Sequence, residues 1–305
     1  MTPVLRLLTA DDTAALSAEI IRAVETGDML ASSDPVGSFI VKSFALDPGQ
    51  FCGAFDGDAL VGFASPEFKI AVVRPDRRRQ GIGRALVDFA DRIVRGKGRP
   101  EQLMGVVPGE PVGHAFLEAT GFAYHSTVWD LDLAPDRPVG PPEWPVGLVG
   151  RRFAGMADVE PWVRVFNAAF ADHATPLQLD AAFVAAGLAD PDTDDGDVIL
   201  VQEAGTAELV GFCATDPGRR EGRVADHGEI WAVGVRPDRQ GRGIGRQLVR
   251  AGVERLRAIG VPKVSLSVNG RNEGALGLYE SEGFVRSRTR DRWSRPVAAA
   301  TEAEP

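Results

Sequence analysis

The 305-residue chain has little cysteine, lysine, histidine or tyrosine: two, four, four and two residues respectively. Two thiols, Cys52 and Cys213, cannot build a disulfide framework, so each is expected to be reduced and buried as a small hydrophobe. The histidines are scattered, and no Cys/His spacing suits a metal. No apolar run approaches the ~18 residues of a membrane span. The opening stretch MTPVLRLLTADDTAAL lacks a basic start followed by an apolar core, so a cytoplasmic location is expected. A formal net charge of −9 argues against a general nucleic-acid binder. Lysine is scarce among the 34 basic residues, an arginine bias that hints at a GC-rich bacterial source.

What is present is a repeat. VRPDRRRQGIGRALV (73–87) and VRPDRQGRGIGRQLV (235–249) share eleven of fifteen positions. Their offset of 162 residues persists to Gly121-Phe122 and Gly283-Phe284, so the match runs ungapped for about fifty residues. A period this long signals a duplicated domain. The Pro-rich stretch APDRPVGPPEWPVG (134–147) reads as a stiff linker between domains at 1–133 and 148–297. The tail 298–305 has nothing to pack and is expected to be disordered. Two adjacent copies also allow a monomer that mimics a dimer, or a weak dimer.

The second half shows its elements best. GLVGRRF reads as a strand, ADVEPWVRVFNAAFADH as helix, DVILVQEAGTAELVGFCAT as a hairpin and EIWAVGV as a central strand. Leu248, Val249, Gly252, Val253, Leu256 and Ile259 form one helical stripe, ended by Gly260 and Pro262. A strand VSLSV, a short helix NEGALGLYESEG and a last strand follow. The fold class is therefore α/β, with a mixed sheet in each of two tandem domains. The first half repeats the order with a shorter third strand.

In each half a strand runs through a glycine turn into a helix. Unpaired amides at the helix start, the helix dipole and glycines that admit close approach make a phosphate cradle. No P-loop or dinucleotide spacing is present. Arg239, Arg242 and Arg246 can add charge to further phosphates.

The pattern [Gln or Arg]-x-x-Gly-x-Gly, together with NEGALGLYESEGF, resembles the GNAT N-acetyltransferases, and the likeness covers both halves. It implies acetyl-coenzyme A (acetyl-CoA) as cofactor. In the second half Val233, Gly234, Val235, Gln240, Gly241, Arg242, Gly243, Ile244, Gly245, Arg246 and Asn272 would hold it. In the first half Val72, Val73, Arg78, Arg79, Gln80, Gly81, Ile82, Gly83 and Arg84 would do so. The resemblance further implies that backbone groups of Val233 and Val235 pair with the pantetheine arm. An amide at or beside Val233 would polarise the thioester.

The resemblance also implies that Glu229, four residues before Val233 and so expected on the same strand face, takes the acceptor's proton. His227 is the rival base. Tyr279 falls on the family's tyrosine position and would protonate the departing thiolate. The first half keeps Glu67 where the second has Glu229. It has Leu117 in place of Tyr279 and Glu110 in place of Asn272, so the second half is expected to be catalytic and the first to bind or scaffold.

The expected acceptor is a primary amine of a small molecule. The tandem layout and NAAFADH (167–173) are similar to the mycothiol synthase group, which acetylates a cysteinyl-glucosaminyl-inositol. SVNGRN and the segment after ADH depart from that group's pattern, which leaves the acceptor open. A protein acetyltransferase and a non-catalytic acetyl-CoA sensor remain as alternatives. Arg286, Arg288, Arg290 and Arg292, at alternate positions, suit either an acidic acceptor or a charged edge strand. The acidic run Asp190, Asp192, Asp194, Asp195 and Asp197 reads as a solvated loop. Asp172 and His173 are placed either near the acceptor or at a helix end.

Overall fold

The computed structural model describes residues 3–27, 40–41, 44–45, 47–106, 111–171, 178–189, 192–219 and 223–298. Glu110, Asp172, His173, Asp190 and the tail from residue 299 lie outside them. The chain forms two compact units, residues 1–127 with 289–305, and residues 128–288.

In the first unit, strands β1 (Val4–Leu7), β2 (Cys52–Asp56), β3 (Ala59–Ser65) and β4 (Ile70–Val73) form an antiparallel sheet in that order. Helix α1 (Thr13–Glu25) covers one face: Leu16, Ile20 and Ala23 bury against Phe51, Phe63 and Val72. Helix α2 (Ile82–Gly96) covers the other through Ile82, Leu86 and Ala90, against Cys52, Val61 and Ala64. Strand β5 (Glu101–Val106) and helix α3 (Pro111–Ala119) follow, and strand β6 (Ala123–Leu133) begins in this unit. The partner of β5 comes from the far end of the chain: Asp291–Pro296 of β12 (Val285–Pro296) run antiparallel to it. Arg295 of that segment is buried, with its guanidinium on Asp91 (2.9 Å) and the carbonyl of Val87 (2.9 Å).

In the second unit, β7 (Leu148–Arg152), β8 (Val198–Glu203), β9 (Leu209–Asp216), β10 (His227–Val235) and β11 (Lys263–Asn269) are neighbours in that order. The end of β6, Val128–Leu133, pairs with β11. Helix α4 (Met156–Phe170) packs Trp162, Val163 and Phe166 on Leu200, Phe212 and Ala232. A short helix α5 (Ala181–Gly187) joins that face through Val184. Helix α6 (Ile244–Ala258) packs Leu248, Val249 and Leu256 on Val201, Cys213, Ile230 and Leu266. Helix α7 (Glu273–Ser281) adds Leu276 to that cluster.

The mixed α/β fold repeats in detail. Arg6 grips Asp12 with two bonds of 2.7 Å, and Arg151 grips Asp158 with bonds of 2.6 and 2.7 Å, each tying a first strand to its helix. The Pro-rich segment 134–147 is docked within the second unit: Val139 and Trp144 pack on the α6 cluster, and Arg257 donates to the carbonyl of Ala134 (3.0 Å). Both cysteines are buried free thiols; burial pushes Cys52 up to about 12 and raises Cys213 as well. The acidic run is not wholly solvated. Asp197 is buried and, with Asp194, pairs with Arg255 (2.9 and 2.8 Å) and Arg219 (2.9 and 3.3 Å). From Asp291 onward β12 is not a bare edge, because β5 lies along Asp291–Pro296 and so beside Arg292.

Candidate active site

The site in the second unit grows from the parting of two parallel strands. β10 and β11 pair from His227↔Lys263 to Ile230↔Leu266. Beyond that rung β10 continues to Val235 and β11 to Asn269 without further pairing to each other. On its other side β10 stays on β9, where Arg236 donates its amide to the carbonyl of Val210 (2.9 Å). That bond fixes the ladder's parity. Ala232 and Gly234 turn their backbone groups to β9, while Val233 and Val235 turn theirs into the gap. An extended ligand arm in that gap meets strand-like donors and acceptors.

The parting coincides with a β-bulge. The β9 register shifts between Ile230 and Ala232, with Trp231 as the inserted residue. A bulge flips alternation. Ile230, Val233 and Val235 all lie on the α6 side, whereas Trp231 packs on Trp162 and Phe166 of α4, with ring centroids 6.3 and 5.9 Å apart. Gly228 and Ile230 face α6, so Glu229 and His227 face the α4 side with Trp231. The expectation that Glu229 shares a face with Val233 is therefore corrected: the inserted residue puts them on opposite faces. Glu229 is half-buried and pairs across the sheet with Asp216 and Ser265. His227 is half-buried, and its Nε2 makes no hydrogen bond among the described residues. Burial, then the charge of Lys263, lowers its pKa, which leaves the imidazole neutral at pH 7.

Tyr279 lies on α7, packed on the α6 cluster with its ring 6.1 Å from that of Phe284. Burial pushes its pKa up to about 12, so the phenol keeps its proton at neutral pH. The side-chain oxygen of Asn272 accepts from the amide of Ala275 (3.1 Å), capping the helix that carries Tyr279.

The glycine loop sits between these parts. A 3-10 turn, Pro237–Arg239, leads to Gly241 (φ 74°) and Gly243 (φ 79°), the N-cap of α6. A side-chain carbon at either would meet nothing within 4 Å, so the approach to the helix amides is open. One at Gly245 would lie 3.6 Å from Leu278 and 4.0 Å from Val235, so helix start, strand end and α7 converge here. Ile244 is buried beneath the loop. Gln240 donates to the carbonyl of Val235 (3.1 Å), closing the turn. Of the nearby arginines, Arg246 pairs with the buried Glu282 and Arg239 with Glu203. Arg242 is exposed, with a bond to the carbonyl of Asp238 (3.3 Å).

The first unit repeats the cradle almost atom for atom. Gly81 (φ 80°) caps α2 and is likewise open, while Gly83 approaches Phe116 and Val73 as Gly245 approaches Leu278 and Val235. Arg78 donates to the carbonyl of Val73 (3.1 Å) and Gln80 to that of Asp76 (3.5 Å). Ile82 is buried, and Arg84 donates to the carbonyl of Ala119. Arg79 holds φ 61° where the second loop has Gly241. By the same parity argument, Arg74 bonded to Val61 (3.0 Å) turns Ala71 and Val73 away from β3 and Val72 toward it. Leu117, at the place of Tyr279, is buried with Val87, Met104 and Phe122. Glu67, at the place of Glu229, is engaged by Arg99 (2.9 Å) and Lys97 (3.2 Å). The cationic neighbours outweigh burial and hold its pKa below the usual range.

A parallel pair that splays at a bulge in the second unit, and a glycine loop before a helix in both units, define a tandem α/β architecture with an anion-receptive helix start in each half. Comparison with known proteins gives the family. The Acetyltransferase (GNAT) family model matches residues 28–122 and 162–284, and the chain belongs to that family. It is an acyltransferase. Among curated relatives, it is 33% identical to a mycothiol acetyltransferase of Sanguibacter keddieii over 78% of this chain and 76% of that one. It is 30% identical to one of Nocardioides sp. over 91% and 95%. Among solved structures, a GCN5-related N-acetyltransferase from Sphaerobacter thermophilus superposes with TM-score 0.67 at 20% identity, over 99% and 98% of the chains. A tandem GNAT protein from the clavulanic acid biosynthesis pathway does so with TM-score 0.68 at 20% identity, over 98% and 100%.

Proposed function

We propose that the chain transfers an acetyl group from acetyl-CoA to a primary amine of a small molecule, at the site in its second unit. The observation that carries this reading is the asymmetry of the two halves: Tyr279 packs on the α6 cluster in one, and the buried Leu117 stands in its place in the other. A leucine cannot protonate a thiolate.

In this reading the amides at the start of α6 and the open glycines Gly241 and Gly243 receive the pyrophosphate, and Arg242 adds charge. The outward groups of Val233 and Val235 hold the pantetheine arm, with Gly234 between them. Asn272 fixes α7 and so the phenol. The acceptor amine arrives from the α4 side, where Glu229 takes its proton. A positioned acid or base of this kind contributes roughly 10²–10⁴ in rate. The first unit, through Val73, Gln80, Gly81, Gly83 and their neighbours, binds acetyl-CoA without multiple-turnover transfer to an outside acceptor.

A more specific acceptor has one line of support. The relatives just described are named mycothiol acetyltransferases and share up to about a third of their sequence with this chain over most of its length. On that ground the cysteine amine of a cysteinyl-glucosaminyl-inositol heads the acceptors to be tried. The test is thiol release from acetyl-CoA across a panel of small-molecule amines, that pseudodisaccharide included, and of lysine peptides. Turnover with a small amine is expected. Turnover with peptides alone makes the chain a protein acetyltransferase, and none with any amine makes it an acetyl-CoA sensor.

A further inference from the structure

The chain's own amine, Lys69, immediately precedes β4, the strand that leads into the first unit's cradle. Lys69 stands 162 residues before Trp231, the residue at the second unit's split. Its carbonyl accepts from the amide of Gly105 (2.9 Å), a rung matching the point where β10 and β11 part. Beyond it β4 ends the four-stranded sheet, with no ladder to β5.

The side of the strand follows from neighbours. Met104 and Val106 pack with Leu117, so Gly105 faces the opposite way, and a side chain there would strike Arg292. Phe68 and Ile70, flanking Lys69, pack on the α1 cluster. The left-handed backbone at Lys69 (φ 59°) breaks the strand alternation, and Arg292 meets the point where a Gly105 side chain would begin, 3.5 Å from the carbonyl of Lys69, so Lys69 lies beside Arg292 on the side that Gly105 faces, the counterpart of the face that carries Glu229 and Trp231. Lys69 is half-buried, at φ 59°, with its Nζ donating to the carbonyl of Glu67 (3.1 Å).

We infer that Lys69 is a self-acetylation site, taking one acetyl group from acetyl-CoA held in the first unit's cradle. The inference rests on the proposed binding of acetyl-CoA there. The neutral Nζ attacks the thioester carbonyl, the N–C bond forms and the C–S bond breaks. One amine proton ends on the sulfur, giving coenzyme A and an amide. With Leu117 in place of a phenol, that proton travels through solvent, so the reaction is slow and stops at one event. Charge around the amine favours its neutral form. Burial and Arg292 lower the pKa of Lys69 to about 8, with Arg99 and Arg290 adding to the effect and Glu67 opposing it.

The chain's other lysines are Lys42, Lys97 and Lys263, so peptide mapping is simple. The full chain is incubated with acetyl-CoA and mapped by mass spectrometry. Acetyl-Lys69 is expected to accumulate at a rate that saturates with acetyl-CoA and rises about 10-fold from pH 6.5 to 8. Excess coenzyme A should block it, and S-acetyl-N-acetylcysteamine, which has no pyrophosphate, should not replace the donor. Lys69→Arg should lose the mark while keeping its circular dichroism. Equal marking of the other lysines, or a rate linear in donor, overturns the inference. Calorimetry with coenzyme A separates it from its premise: two sites per chain without acetyl-Lys69 refutes self-acetylation alone, and one site per chain refutes both.

Discussion

Gly81→Ala and Gly243→Ala make a matched pair. The two glycines have the same backbone, φ 80° and 79°, both cap a helix, and neither has a neighbour within 4 Å of a would-be side chain. Each substitution therefore costs only the left-handed backbone penalty, about 1–2 kcal/mol. In units of this size that is a fall in melting temperature of roughly 2–8 °C. Their effects on turnover should differ. The new methyl at Gly243 sits where the pyrophosphate meets the α6 amides and weakens charge-assisted bonds of ~1.5–3 kcal/mol each. Losing one raises KM for acetyl-CoA by about 10–100-fold. The same methyl at Gly81 should leave steady-state turnover near wild type, because chemistry there lacks a tyrosine. The assay is thiol release against acetyl-CoA concentration, alongside thermal unfolding. Equal unfolding shifts with loss of turnover from Gly81→Ala, and none from Gly243→Ala, would refute the assignment of catalysis to the second unit.

Three further outcomes follow from the geometry. Arg255→Ala leaves the buried Asp197 to Arg219 alone and should destabilise the fold by less than the ~3–5 kcal/mol of a fully stranded buried charge, read by denaturant unfolding, while Arg255→Ala with Arg219→Ala should reach that range and Asp197→Asn in the double variant should restore part of it. Glu229→Gln should abolish the acid limb of kcat/KM, while His227→Asn should keep it. The lowered imidazole pKa places any limb from His227 below about 6.5, so a limb lost only in His227→Asn exchanges their roles. The Arg6 guanidinium, with help from the Thr9 amide, holds Asp12 near 2, below its unfolded value. Its contribution is present above pH ~4 and lost as pH falls from about 4 to 2. Discounted for screening of the exposed Arg6, that is about 1–2 kcal/mol. Asp12→Asn should therefore destabilise at pH 7 and converge with wild type by pH 2.

The loop glycines and the exchange of Tyr279 for Leu117 were legible because spacing and residue type carry them: a repeat of 162 residues needs no coordinates. The gap itself was only implied by family likeness, since nothing in EIWAVGV says where β11 lets go. The bulge at Trp231 was hidden for a definite reason. Its inserted residue is a tryptophan that reads as one more apolar position in a central strand, with no glycine to mark it, and counting by twos past it put Glu229 on the wrong face. Pairing between distant segments was equally silent. The sequence of β12 alternates arginines but does not say that Arg295 will bury on Asp91, or that Arg292 will lie over Gly105. The ion pairs of Arg239 and Arg246 also depend on folded neighbours, Glu203 and Glu282, far along the chain.

The central claim is that acetyl transfer depends on the phenol of Tyr279. It is tested by thiol release with the best amine of the panel, wild type against Tyr279→Phe, at saturating acetyl-CoA. The account predicts a fall in kcat of roughly 10²–10⁴ with little change in coenzyme A affinity. Unchanged kcat in Tyr279→Phe would contradict it.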